Sequence, residues 1–179
     1  MVYVFLANGF EEIEALATID VLRRAGVEVT TVGVGERQVV GSHNIPVIAD
    51  IHEQDMYLND ACAIVLPGGM PGTLNLEASQ TVQSALEYAL QHDVVIAAIC
   101  AAPSILGHKG VLAGKTAIAY PGFEKELTGA TIATTAVVQD GNIITAKGAG
   151  VAIEFGLKIV EALTSAKTAN SVKEAMQCQ

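Results

Sequence analysis

Apolar positions along the chain switch repeatedly between short continuous runs and helical spacing. "VYVFLA" (2–7) is a run of aliphatic and aromatic side chains, which predicts a buried strand. In "NGFEEIEALATIDVLRRAG" the period lengthens, and Ile13, Leu16, Ala17 and Val21 fall near one helical face. Acidic residues fill its first turn and Arg23–Arg24 precede Gly26, so a helix of about fifteen residues is expected. "VEVTTVGV" (27–34) is the next strand. "QVVGSHNIPVIAD" (38–50) alternates around a Gly-Ser-His-Asn turn and reads as an added β-hairpin.

The same alternation continues. "CAIVLPGG" (62–69) is a buried strand that ends in glycines, and "SQTVQSALEYALQHD" (79–93) is an amphipathic helix opened by Ser79. "VVIAAI" (94–99) is again a buried strand, with helix-forming residues after Cys100. Short strands are expected near 115–119, 136–139 and 143–146, a short helix in "PGFEKEL", and helices near 151–164 and 168–177. No repeat, linker or low-complexity segment interrupts the series, so residues 1–179 read as a single domain. Apolar strands alternating with amphipathic helices imply a mostly parallel, doubly wound α/β sheet covered on both faces.

Composition agrees. Of 179 residues, 51% are apolar and 16% charged, enough chain to bury roughly 70% of its unfolded surface. The formal charge of −9, with no basic cluster, argues against a nucleic-acid partner. No apolar run approaches the ~18 residues of a membrane span, so no membrane partner is expected. The start lacks a basic region before its apolar stretch, so no signal peptide is expected and the compartment reads as cytoplasmic. Three scattered cysteines fit neither a disulfide framework nor a zinc site, and neither metal nor cofactor is expected.

In open α/β sheets, ligands bind beyond the carboxyl ends of the strands. Three such ends carry chemistry. The first strand runs into Glu11, Glu12 and Glu14, the strand at 62–66 into Gly68–Gly69, and the strand at 94–99 into Cys100. If these strands are neighbours, carboxylates, backbone amides and a thiol meet in one crevice. Strand, nucleophile, small residues and helix is the order of a nucleophile elbow, and a helix dipole aimed at the sulfur would lower its pKa. A free cysteine is equally at home as a small buried hydrophobe, so both readings of Cys100 stay open. Cys62 is expected to pack in the core and Cys178 to be an ordinary tail thiol. Gly68 and Gly69 suit an oxyanion hole or a plain tight turn, and Gly148 and Gly150 suit a packing turn better than an anion site. The three glutamates also compensate a helix dipole, and periodicity does not say which one faces inward.

Together "GFEEIE", "IVLPGG", "AAICAAP" and "GVAIEFGLKIVEAL" resemble the ThiJ/PfpI superfamily, which shares the class I glutamine-amidotransferase-like fold. Within it they resemble the branch of the Parkinson-associated deglycase. The resemblance implies a flavodoxin-like sandwich and a homodimer. It implies Cys100 as nucleophile and redox-active thiol, Glu14 as its protonated partner, and Gly68 and Gly69 as amide donors to an oxyanion. Arg24 matches a family arginine near the dimer interface, and His43 stands where relatives often place an arginine. Two departures are visible: Ala102 replaces the glycine of Cys-Ala-Gly-Pro, and Tyr120 stands where some relatives place a histidine beside the cysteine. With a pKa near 10, tyrosine shuttles protons less readily at neutral pH than histidine near 6.5. No histidine follows Cys100 directly and none begins a His-x-Glu pair, which disfavours the peptidase and amidotransferase branches.

The resulting expectation is a cysteine-dependent, stress-protective protein acting on small aldehydes or glycated substrates, of the glutathione-independent glyoxalase or deglycase type. The alternatives are an oxidative-stress sensor or chaperone-like protein whose Cys100 becomes a sulfinate, and an α/β binding domain with a structural cysteine.

Overall fold

The computed structural model describes residues 1–178, and its elements follow the alternation in the sequence. In chain order they are β1 (Val2–Leu6), α1 (Glu12–Arg24), β2 (Val29–Gly33), β3 (Gln38–Val40), β4 (Pro46–Ile48), β5 (Ile51–His52) and β6 (Ala63–Leu66). Then come α2 (Gly72–Ala78), α3 (Gln80–Gln91), β7 (Val95–Ile99), α4 (Pro103–His108), β8 (Thr116–Ala117) and β9 (Thr131–Ile132). The last are β10 (Val137–Asp140), β11 (Ile143–Ala146), α5 (Ala152–Leu163) and α6 (Ala166–Ala175).

Seven strands form one sheet in the order β10-β11-β7-β6-β1-β2-β5, parallel except for β10. Its central strands are buried along their whole length, which is why they read as unbroken apolar runs. One face carries α1, α5 and α6, with Leu22, Phe155 and Ile159 in that core layer. The other carries α2, α3 and α4, with Leu76, Leu86 and Ile105. This is the doubly wound, flavodoxin-like sandwich expected. Ser79 caps α3, its hydroxyl accepting from the Val82 N–H. No helix among the described residues is long and apolar enough to cross a membrane.

The hairpin β3–β4 forms as expected, as a separate two-stranded antiparallel sheet. It is seated on the β1–α1 connection: the Asn8 Oδ1 accepts the Val40 N–H at 2.8 Å and the Gly9 N–H donates to the Val40 carbonyl at 2.8 Å.

Some elements differ from expectation. α1 buries Glu12, Glu14, Ala15, Thr18, Ile19, Val21 and Leu22, while Ile13 is 57% and Leu16 38% exposed. An apolar count cannot find this face, because two carboxylates turn inward and two aliphatics turn out. The close approach of α1 and α5 needs Gly156, where a Cβ would lie 3.0 Å from the Val21 side chain. "PGFEKEL" forms only a single 3-10 turn at Glu124–Glu126. The short elements α2, β5 and β9 carry too few residues to show a period, and no sequence pattern announces them. Cys62 is exposed rather than packed in the core, since it lies just before Ala63, the first buried residue of β6.

Candidate active site

β1, β6 and β7 are adjacent in the sheet, so the three chemistry-bearing strand ends do converge. Immediately after β7 the backbone of Cys100 takes φ 64°, a left-handed conformation uncommon outside glycine and characteristic of functional turns. Both backbone groups are tied down. The Cys100 N–H donates to the Ala146 carbonyl at 2.9 Å and the Cys100 carbonyl accepts the Tyr120 N–H at 2.8 Å. The sharp strand-to-helix turn is therefore an elbow, fixed from both sides.

Glu14 is the inward member of the three glutamates closest to this elbow. It is 1% exposed, and its Oε2 accepts the Gly68 N–H at 2.8 Å. Gly68 lies between acid and thiol: a Cβ there would sit 2.7 Å from the Cys100 Cβ and 2.8 Å from the Glu14 Oε2. Any larger residue would push the pair apart. The buried Oε1 of Glu14 has no hydrogen bond of normal geometry. The Cys100 thiol nonetheless lies close enough to act on the carboxyl as a polar partner.

Burial sets the electrostatics. It drives the Glu14 carboxyl up to about 7, with the Glu11 charge adding to it and the Cys100 thiol and Gly68 N–H opposing. Burial also drives the Cys100 thiol up to about 12, reinforced by the charge and hydrogen bond of ionised Glu14 and opposed by the Ala101 and Gly69 N–H groups. The expected lowering by a helix dipole does not occur. α4 has only six residues and begins at Pro103, so its dipole is weak beside desolvation. Two of the three influences that raise the thiol disappear once Glu14 carries a proton. The charge state of the acid and that of the sulfur therefore depend on each other.

The amide donors are not the expected pair. The Gly68 N–H is committed to Glu14, and the N–H groups acting on Cys100 belong to Gly69 and Ala101. Ala101 carries no sequence signal, since its contribution is a backbone N–H. Tyr120 sits at the mouth, 51% exposed, and its backbone rather than its hydroxyl holds the elbow.

The other glutamates serve the hairpin. Glu12 is 4% exposed, and its Oε1 accepts the His43 N–H at 2.7 Å while the His43 Nδ1 lies 2.9 Å from its Oε2. Burial pushes Glu12 up, but the His43 side chain, its own N–H and those of His43 and Ile45 together hold it at about 2. The same contact raises His43. Glu11, Glu12 and His43 place ligand atoms within 4.8 Å of one another, the arrangement among the described residues that best suits a metal. Glu12 is already spent on the turn, however, and a Cβ at Gly41 would strike its carboxylate.

The fold and the site define a class of α/β protein in which an elbow cysteine lies beside a buried carboxyl on a flavodoxin-like sheet. The DJ-1/PfpI family pattern matches residues 1–162, and this chain belongs to that family. It is 37% identical over 175 residues to the Parkinson disease protein 7 homolog of Danio rerio, covering 95% of this chain and 93% of the relative. It is 32% identical over 164 residues to the glutathione-independent glyoxalase DJR-1.2 of Caenorhabditis elegans, covering 90% and 87%. The structure of oxidized Toxoplasma gondii DJ-1 superposes with a TM-score of 0.91 at 34% identity, covering 98% of this chain and 97% of the other.

The raised Glu14 makes stability depend on pH with a definite sign. Because its folded pKa of about 7 exceeds the unfolded value of 4.5, the folded state holds an extra proton between them. This contribution is complete below pH 4.5 and is lost as pH rises through 7. Urea denaturation at pH 5 and pH 8 is expected to show wild type losing on the order of 3 kcal/mol relative to Glu14→Gln. Parallel stability profiles for the two proteins would show that the carboxyl titrates normally.

Proposed function

We propose that this chain converts 2-oxoaldehydes such as methylglyoxal to 2-hydroxy acids without glutathione, with Cys100 as nucleophile and Glu14 as proton carrier. The observation that carries the reading is a carboxyl raised to about 7 beside an elbow thiol. A group with a pKa near the working pH is suited to both giving and taking protons. The named glyoxalase among the relatives supports the same chemistry.

Ionised Glu14 takes the Sγ proton, and the thiolate adds to the aldehyde carbon C1. The oxyanion meets the Gly69 and Ala101 N–H groups and takes the proton back from Glu14, giving a hemithioacetal and leaving Glu14 ionised. Glu14 then removes the C1 proton, forming an enediol, and a proton returns to C2. The product is a 2-hydroxyacyl thioester, which water hydrolyses to the hydroxy acid and free thiol. C1 is oxidised and C2 reduced within one molecule, so one water is consumed and no external oxidant or reductant is needed. Glycated adducts of the same aldehydes present the same carbon and fall within the same substrate class.

A second reading is oxidation sensing. A protonated Glu14 can donate a hydrogen bond to an oxygen placed on Cys100 by peroxide, which favours arrest at the sulfinate. The oxidized structure of the Toxoplasma relative lends it support. A homodimer suits either reading, because Ile13, Leu16, Ile45 and Ile48 are exposed on α1 and the adjoining hairpin.

Purified protein is expected to form lactate from methylglyoxal without glutathione, and Cys100→Ser to reduce kcat/KM at least 100-fold. Undiminished lactate in Cys100→Ser would sink the enzymatic reading. Under mild peroxide, the Cys100 peptide is expected to gain two oxygens in wild type and to over-oxidise faster in Glu14→Ala; thiol mass at Cys100 with oxidised Cys178 would end the sensing reading. Light scattering is expected to give twice the chain mass for wild type and the single-chain mass for Ile13→Glu combined with Ile48→Glu. An unchanged mass would place any interface elsewhere.

A further inference from the structure

Beside the elbow lies a recess of about 330 Å3 lined by Tyr120, Pro121, Lys147, Gly148, Ala149 and neighbouring backbone. It is built onto the hydrogen bonds that fix Cys100. Tyr120 donates its N–H to the Cys100 carbonyl, and Lys147 directly follows Ala146, which accepts the Cys100 N–H. The Tyr120 ring lies over Gly148, where a Cβ would come within 3.3 Å of it. Glycine there keeps the recess open under the ring, which gives Gly148 a use beyond a packing turn.

Lys147 is the only charged residue lining this recess among the described residues. It is exposed and, like Arg37, Lys125, Lys167 and Lys173, makes no ion pair among them, whereas Arg23, Arg24, Lys109, Lys115 and Lys158 each meet a carboxylate. The chain as a whole carries −9, so an unpaired cation in a recess joined to the elbow through Tyr120 and Ala146 is a local exception to a field that repels anions. The recess is also at the low end of small-molecule sites, about 300–1,000 Å3, and roomier than a three-carbon aldehyde requires.

We propose that the recess is a subsite for the anionic tail of the substrate, with Lys147 as a specificity-determining residue and the Tyr120 hydroxyl as a second donor. The substrate class it selects is a 2-oxoaldehyde bearing a carboxylate or phosphate at its far end. This assignment of substrate rests on the carbonyl chemistry proposed above, but the anion subsite is measurable without turnover. In the subsite, Lys147 supplies charge and Tyr120 supplies both a hydrogen bond and a wall for the carbon skeleton. The tyrosine that replaces a proton-shuttling histidine thereby acquires a binding role.

Iodoacetate and iodoacetamide alkylate a thiol by the same displacement of iodide and differ in charge. The ratio of their second-order rate constants at the Cys100 peptide, read by mass spectrometry, isolates anion recognition. Lys147→Gln is expected to lower the iodoacetate-to-iodoacetamide ratio about 5- to 10-fold, and Lys167→Gln on α6 to leave it unchanged. In turnover, Lys147→Gln is expected to reduce the preference for para-carboxyphenylglyoxal over phenylglyoxal, measured as the ratio of their specificity constants, by a similar factor and through KM. Tyr120→Phe is expected to lower the same ratio by a smaller factor. An alkylation ratio unmoved by Lys147→Gln, or moved equally by Lys167→Gln, overturns the subsite. Absence of turnover in every variant would instead overturn the carbonyl reading, and the alkylation ratio would still decide the subsite.

Discussion

The buried carboxyl of Glu14, held by the Gly68 N–H beside the Cys100 thiol, is the constraint around which this end of the molecule is arranged. A carboxyl 1% exposed needs a donor that does not move, and a backbone N–H at the end of a central strand supplies one. That donor must also lie within reach of a thiol on the next strand, which requires β6 and β7 to be neighbours and residue 68 to lack a Cβ. The left-handed backbone at Cys100 completes the geometry, with β11 and the Tyr120 segment each contributing a hydrogen bond that over-determines it. Sheet order, a glycine and a strained residue are separate features of the chain, and one contact depends on all of them.

Glu12 and Glu14 show how environment divides identical side chains. Both are buried and both sit in the first turn of α1. Glu12 meets the His43 imidazole and the N–H groups of the hairpin turn, and is held near 2 as a permanent anion. Glu14 meets one N–H and a thiol, too little to offset its desolvation, and rises to about 7. The first is a structural latch that seats β3–β4 against the helix; the second is left free to exchange a proton. Two carboxylates pushed in opposite directions within one helical turn show that surroundings, not residue type, set their charge.

Much of this was legible in the chain. The unbroken apolar runs at 2–7, 62–66 and 94–99 placed the central strands, because strands covered on both faces leave no alternation. Convergence of the acid, the glycine pair and Cys100 followed from the rule for strand ends once those strands were neighbours. What could not be read is physical in origin. The inward face of α1 is hidden by buried glutamates paired with partners distant in sequence. The donor from Ala101 is a backbone group and carries no side-chain signature. The division of labour between Gly68 and Gly69 is fixed by which N–H reaches Glu14, a matter of ångströms rather than of residue type. The thiol's upward shift reverses the elbow expectation because the degree of burial, not the order of elements, sets its sign.

The absence of a histidine at position 120 weighs less once the Glu14 environment is considered. A proton carrier is most effective when its pKa lies near the pH at which it works. Burial gives Glu14 that property, where an exposed carboxyl near 4.5 would mostly hold no proton to donate. In the proposed chemistry the same group must accept from sulfur, abstract from C1 and return a proton, and it needs no relay if it sits beside the thiol. Tyr120, half exposed with its ring over Gly148, is well placed to contact whatever enters the recess. A site that uses one buried carboxyl as both base and acid frees the neighbouring position for recognition, and tyrosine beside Lys147 fits that division.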